Sequence, residues 1–310
     1  MTAQAPGAVI MIRPHHFEPN PVTEADNAYQ QGRAGRERAE LAATALAEVD
    51  AAIARLRAEG VVVHVFDDEQ PDRPDSVFPN NWLSTHGGGH VAVFPMFPPN
   101  RRRERRWDVI EFLKARYRVQ DVIDYSGLEN DGVFLEGTGA MVLDHLHRLA
   151  YVCRSNRADP IALERFCTNF GYEPMAFDAA DEHGTTIYHT NVLMCIATEF
   201  ALIGAEAIPD AARRAEVLDR LAEHGRAVLP LSFQQLREFA GNAMELSTPT
   251  GRILALSTRA EASLTPQQRE VIERSCRIVA LDVPTIELAG GSVRCMLAGV
   301  HLDPRPQRDS

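Results

Sequence analysis

The chain has 310 residues, 45% of them hydrophobic and 24% charged, with 20 Gly and 19 Pro, which excludes disorder as the main state and allows a sizeable core. Its 43 acidic and 32 basic residues leave a formal charge of -11, so nonspecific attraction to nucleic acid or an anionic membrane is disfavoured. No run approaches a membrane span and the N-terminus lacks the basic-then-apolar order of a secretory signal, so a cytoplasmic protein is expected.

Residues 39–59 repeat Ala and Leu at three- and four-residue spacings and stop at Gly60, predicting a helix that feeds a strand over 61–66. Segments 70–79 and 95–106 read as loops. The second holds Arg101, Arg102, Arg103, Arg105 and Arg106, expected to be a solvated loop or the start of a helix because Glu104 interrupts the run and no aromatic residues interleave it. Further helices are predicted over 108–117, 159–170, 210–224, 232–240 and 265–276, with Asp159-Pro160 and Thr265-Pro266 as N-cap and first-turn pairs.

Short apolar runs at 91–95, 139–143 with 149–153, 191–197 with 201–203, 243–246 with 253–256, and 292–300 read as paired strands joined by tight turns. Asn81, Gly137, Asn191, Asn242 and Gly291 stand just before or within these runs, at separations of 56, 54, 51 and 49 residues. A period near 50 that contains strands and a helix exceeds what a β-sandwich needs and lacks regular βα alternation. A closed ring of five ββαβ-like units accounts for the count.

Lys114 is the only lysine, which nearly removes lysine-based covalent catalysis. Cys153, Cys167, Cys195, Cys276 and Cys295 are widely spaced with no CxxC pair, arguing against a disulfide framework or a zinc knuckle and leaving room for one reactive thiol. Eleven histidines include no HExxH and no close ligand set, so chemistry without metal or cofactor is expected. His64, His145 and His147 read as structural. Gly139 belongs to no GxGxxG fingerprint, so nucleotide binding gains no support.

Glu136, His189 and Cys295 occupy similar places in their units, 53 and 106 residues apart, and in a ring all three can face its axis. A thiol, an imidazole and a carboxylate suit nucleophilic catalysis with proton transfer and an oriented base. Each has a plainer reading: Cys295 as a buried apolar residue beside Met296, His189 as a satisfied polar residue at a strand start, Glu136 as the cap of a glycine turn. Gly290 and Gly291 permit close backbone approach at Cys295, and Arg294 favours a thiolate if its head lies nearby.

These residues resemble the guanidino-group-modifying, or pentein, superfamily, and within it the amidinotransferase-like citrulline-utilisation hydrolases. The markers are Ile12-Arg-Pro14 with Asn20-Pro21, Phe78-Pro-Asn-Asn-Trp82, Glu136-Gly-Thr-Gly139, His189-Thr-Asn-Val192 and Gly290-Gly-Ser-Val-Arg-Cys295. The resemblance implies a five-bladed α/β-propeller (pseudo-five-fold ββαβ units), a single catalytic domain over 1–310 and a homodimer. It implies Cys295 as nucleophile, His189 as general acid/base and Glu136 as its carboxylate partner. In Ser155-Asn-Arg157, Arg157 is the implied anchor for a substrate carboxylate, with Arg154 its competitor and Arg294 a further binding residue.

Arginine deiminases carry guanidinium-binding aspartates where this chain offers Asn80 or Asn81, and again where it has Asn191. An amide supplies donor and acceptor without negative charge, which suits a neutral ureido group, whereas carboxylates suit a guanidinium. The expected reaction is hydrolysis of citrulline to ornithine, carbon dioxide and ammonia through Cys295. The alternatives are arginine deiminase, N-succinylarginine dihydrolase or dimethylarginine hydrolase-like activity, amidino transfer to an amine, and metabolite binding without catalysis.

Overall fold

Four times along the chain a short hairpin is followed by a helix and a third strand that returns parallel to the second. The computed structural model describes residues 3–24, 27 and 29–306. After β1 (Ala8–Pro14) and β2 (Val62–Asp68), β3 (Leu83–His86) pairs antiparallel with β4 (His90–Val93), and β4 pairs parallel with β5 (Asp121–Asp124) across helix Trp107–Arg116. The pattern repeats in β6 (Met141–Asp144), β7 (Leu149–Cys153), helix Pro160–Phe170 and β8 (Glu173–Phe177).

It repeats again in β9 (Met194–Ile196), β10 (Phe200–Ile203), helix Ala211–Ala222 and β11 (Ala227–Pro230). A fourth copy comprises β12 (Met244–Thr248), β13 (Gly251–Ser257), helix Pro266–Glu273 and β14 (Arg277–Leu281). The fifth sheet closes the ring: β15 (Ala298–Gly299) pairs antiparallel with β1, and β1 runs parallel to β2 across helix Arg38–Ala58. Parallel neighbours need a long crossover, which the helix of each unit supplies. The architecture is the expected five-bladed α/β-propeller.

The first strand of each unit lies innermost, with β6 against β9, β9 against β12 and β15 against β3. A short helical turn precedes most of them: Pro79–Asn81, Gly137–Ala140, Thr190–Leu193 and Val293–Met296. In the fourth unit a turn takes its place, closed by Asn242 N donating to Phe239 O at 2.8 Å. Neighbouring turns touch around the axis and form a collar. The residues that mark the period of about 50 sit on this collar.

The outer helices follow their apolar spacing. Leu41, Ala45, Val49, Ala52, Ile53 and Leu56 form the buried face of Arg38–Ala58. Asp159 accepts from Ile161 N at 2.8 Å, and Thr265 forms a capping box with Gln268, so both predicted starts hold. Among the described residues no helix is long and apolar enough to cross a membrane.

Two expected strands are corrected. Much of 191–197 and 292–300 is the helical turns Thr190–Leu193 and Val293–Met296, leaving strands of three and two residues. Apolar content is the same in a buried turn and a buried strand, so the pattern did not separate them.

Candidate active site

The collar brings its polar side chains to one mouth of the ring. Glu136 precedes the turn Gly137–Ala140 and is fully buried. Its Oε2 lies 2.8 Å from His189 Nε2, and its Oε1 accepts from Phe97 N at 3.0 Å. Arg157 Nη1 donates to Oε2 at 3.5 Å and Arg101 Nη1 lies 3.7 Å away. Burial works against its charge, but Arg157, then His189 and Arg101, hold the carboxyl below the usual carboxylate range.

His189 stands just ahead of the turn Thr190–Leu193 and is 3% exposed. Burial pulls its pKa down to about 4 against the opposing pull of Glu136, so the ring is neutral at pH 7. With Nε2 committed to Glu136, Nδ1 turns toward Gly139. A Cβ on Gly139 would lie 2.1 Å from the Asn81 amide and 2.9 Å from His189 Nδ1. Glycine there leaves the space that the imidazole and the amide occupy.

Cys295 sits on the turn Val293–Met296, 4% exposed. Its Sγ accepts from Asn191 Nδ2 and from Asn242 Nδ2, each at 3.2 Å. Two amide donors thus converge on one sulfur. Cys153, Cys167, Cys195 and Cys276 lack such a setting, and burial pushes each up to about 12.

Cys295 and His189 line one narrow pocket with Asp75, Asn81, Arg101, Arg157 and Tyr188. Arg157 is 1% exposed and its guanidinium lies 4.7 Å from the centre of the Tyr188 ring. Tyr188 is fixed in turn by donating to Gly290 O at 3.0 Å. Asp75 accepts from Asn20 Nδ2 at 2.8 Å and lies 3.5 Å from Arg101.

Several expected positions differ. Asn191 lies beneath Cys295 and engages its sulfur, so it does not line the pocket. Asn80 is buried behind the wall, its carbonyl accepting from Thr138 Oγ1 at 3.2 Å. Asn81 does reach the pocket. Oriented to satisfy its neighbours, its oxygen accepts from both Arg101 Nη atoms at 3.0 Å and its nitrogen donates to Asn80 Oδ1 at 3.2 Å. Arg154 points outward to Asp178 at 3.4 Å with 54% of its side chain exposed. Arg294 projects to the other side of the collar.

Arg101 was missed: its charged neighbours in sequence suggest a solvated run, yet its side chain is 3% exposed. Nε and Nη2 donate to Glu104 at 3.0 and 2.9 Å, within the turn Arg101–Glu104. Glu104 interrupts the basic run because it is the buried partner of Arg101. Asn242 was visible only as a period marker, and the thiol contact is long-range.

The eukaryotic N,N dimethylarginine dimethylhydrolase family model matches residues 13–302. No curated protein matches the chain in sequence. Among solved structures, apo ArgZ, an arginine dihydrolase from the ornithine-ammonia cycle in cyanobacteria, is similar with a TM-score of 0.74 and 16% identity. That match covers 96% of this chain and 41% of ArgZ, so the chain spans under half of that protein. The N-terminal domain of ArgZ bound to its substrate gives 0.73 and 16%, covering 94% of this chain and 97% of the domain. A dimethylarginine dimethylaminohydrolase adduct with S-methyl-L-thiocitrulline gives 0.62 and 14%, covering 96% and 100%. These likenesses establish a shared fold, that of the pentein superfamily. With a sequence match that runs across Glu136, His189 and Cys295, the chain belongs to the eukaryotic N,N dimethylarginine dimethylhydrolase family.

Proposed function

We propose that the protein is a cysteine-dependent hydrolase of C–N bonds in a ureido or guanidino amino acid, with citrulline as the leading substrate. The observation that carries this is one pocket holding Cys295, cradled by two amides, and His189, tied to buried Glu136. His189 and Cys295 do not bond to each other, and the reacting carbon is taken to sit between them. Residues 1–310 act as one catalytic domain in this reading, since the three side chains come from three blades.

Sγ attacks the ureido carbon as His189, neutral at rest, takes up the thiol proton on Nδ1 and becomes charged. Nδ1 returns that proton to the nitrogen that leaves as ammonia, and Glu136 keeps the ring in one tautomer and offsets its transient charge. A thiocarbamate remains on Cys295. Water, losing a proton to His189, adds to it and expels Sγ, which Asn191 and Asn242 stabilise. The carbamate released breaks down to ornithine and carbon dioxide. Arg157, with Arg101 beside it, anchors the substrate carboxylate.

Citrulline is favoured because Asn81 stands in the pocket and Asp75, the one carboxylate among its described lining residues, is already engaged by Asn20 and Arg101. Arginine is the second reading, favoured by the same Asp75 and by the way Asn81 embraces the guanidinium of Arg101. Citrulline, arginine, N-succinylarginine and dimethylarginine offered at saturation, with and without an acceptor amine and with products read by mass spectrometry, distinguish these. Ornithine from citrulline supports the main reading. Arginine consumed while citrulline is untouched overturns the ureido preference, and a new amidino adduct alone overturns hydrolysis.

A further inference from the structure

Resting on the roles proposed above for Glu136 and His189, we infer that Arg102 is a positioning residue: through the peptide joining Met96 to Phe97 it aims a backbone N–H at Glu136. A glutamate carboxyl turns easily about its last torsion, so holding one oxygen leaves its plane loose. Glu136 Oε2 faces His189 at 2.8 Å, Arg157 at 3.5 Å and Arg101 at 3.7 Å. Phe97 N donates to the other oxygen, Oε1, at 3.0 Å and fixes the plane.

The direction of that N–H is set from the far side of its own peptide. A trans peptide is planar, with C=O and N–H pointing opposite ways, so holding one aims the other. Arg102 Nε donates to Met96 O, the carbonyl of the same peptide, at 3.0 Å. Arg102 Nη2 donates to the next carbonyl, Phe97 O, at 3.4 Å. A cation on the carbonyl also polarises the amide and strengthens its N–H as a donor.

Arg102 is itself held from two directions. Its guanidinium lies 5.6 Å from the centre of the Phe134 ring, and Phe134 meets Phe97 edge-on with ring centres 5.2 Å apart. Glu129 Oε2 lies 3.6 Å from Arg102 Nε, while Glu129 Oε1 accepts from Met96 N at 2.8 Å. Consecutive amides are thus gripped by two carboxylates, Glu129 behind and Glu136 in front. Arg102 is 32% exposed in its side chain and does not line the pocket, so its effect on the site passes through Glu136.

Arg102→Met keeps an apolar stem over Phe134 and removes the donors, whereas Arg102→Lys keeps a cation. Glu129 stays paired with Arg105, whose Nη2 donates to Oε2 at 3.1 Å, so both variants should melt close to the unaltered chain. On the substrate that the unaltered chain consumes, kcat should fall about tenfold in Arg102→Met with KM nearly unchanged, and Arg102→Lys should recover part of the loss. A second readout needs no turnover. Heteronuclear NMR of the ligand-free chain should show the His189 ring signals shifted in Arg102→Met and shifted less in Arg102→Lys, although the charged groups facing the ring, Glu136, Arg157 and Arg101, are unaltered. If Arg102→Met does not fold, Glu129→Gln, which removes the counter-charge of Arg102 and keeps an acceptor for Met96 N, must move the same signals. His189 signals that stay in place, or an equal loss of kcat in the Met and Lys variants, overturn the role of Arg102. An unaltered chain that turns over nothing, with the His189 signals still shifted in Arg102→Met, would count against the hydrolase reading and in favour of the contact.

Discussion

Asn242 Nδ2 donates to Cys295 Sγ at 3.2 Å across a sequence separation of 53 residues. A hydrogen bond to a charged group contributes about 1.5–3 kcal/mol, so Asn242→Ala should slow alkylation of the thiol at neutral pH roughly tenfold. Iodoacetamide labelling followed by mass spectrometry measures this at one site, because burial pushes the other four thiols up to about 12. Unchanged labelling of Cys295 would show that the amide does not assist reaction at the sulfur.

Glu136 holds His189 at 2.8 Å and is the buried counter-charge for Arg157 and Arg101. Glu136→Gln keeps the shape and removes the charge, so kcat should fall by about 10²–10⁴. Loss of the buried charge that faces His189, Arg157 and Arg101 should also destabilise the fold by roughly 3–5 kcal/mol. Steady-state kinetics and denaturant unfolding test the two effects separately. A variant with full activity would remove Glu136 from the mechanism.

Gly139→Ala places a methyl group 2.1 Å from the Asn81 amide and 2.9 Å from His189 Nδ1. The expected result is a folded protein by circular dichroism with activity reduced about 10²-fold, since small misplacements of reacting groups cost that much. Normal kinetics in this variant would mean that the Asn81 and His189 positions tolerate displacement.

Acid should destabilise the protein in a defined window. His189 and His301 are lowered from 6.5 to about 4 by burial, so between those values the unfolded chain binds protons that the folded chain refuses. Stability is therefore intact above about pH 6.5 and falls as pH drops toward 4, by roughly 2 kcal/mol per ring at pH 5. Thermal midpoints from pH 7 to 5 should decline less steeply in His301→Asn than in the unaltered chain. Identical slopes would contradict the assignment of His301.

Much of the ring was legible because its collar recurs: Asn81, Gly137, Asn191, Asn242 and Gly291 keep nearly constant spacing. The helices over 159–170 and 265–276 were legible from Asp159-Pro160 and Thr265-Pro266, where capping is local chemistry. The third strand Asp121–Asp124 was less so, since its two apolar residues stand between aspartates and make no longer run. Arg101 and Arg294 show the limit most clearly. Arg101 sits in a charged run yet turns inward to Glu104, and Arg294 adjoins Cys295 yet points away, because direction is set by contacts from other blades.

The most direct test of the account is to quench the purified protein during turnover of citrulline and map modified peptides by mass spectrometry. A carbamoyl-type adduct confined to Cys295, with turnover abolished in Cys295→Ala, is the predicted result. Turnover that persists in Cys295→Ala, or an adduct on another residue, would contradict it.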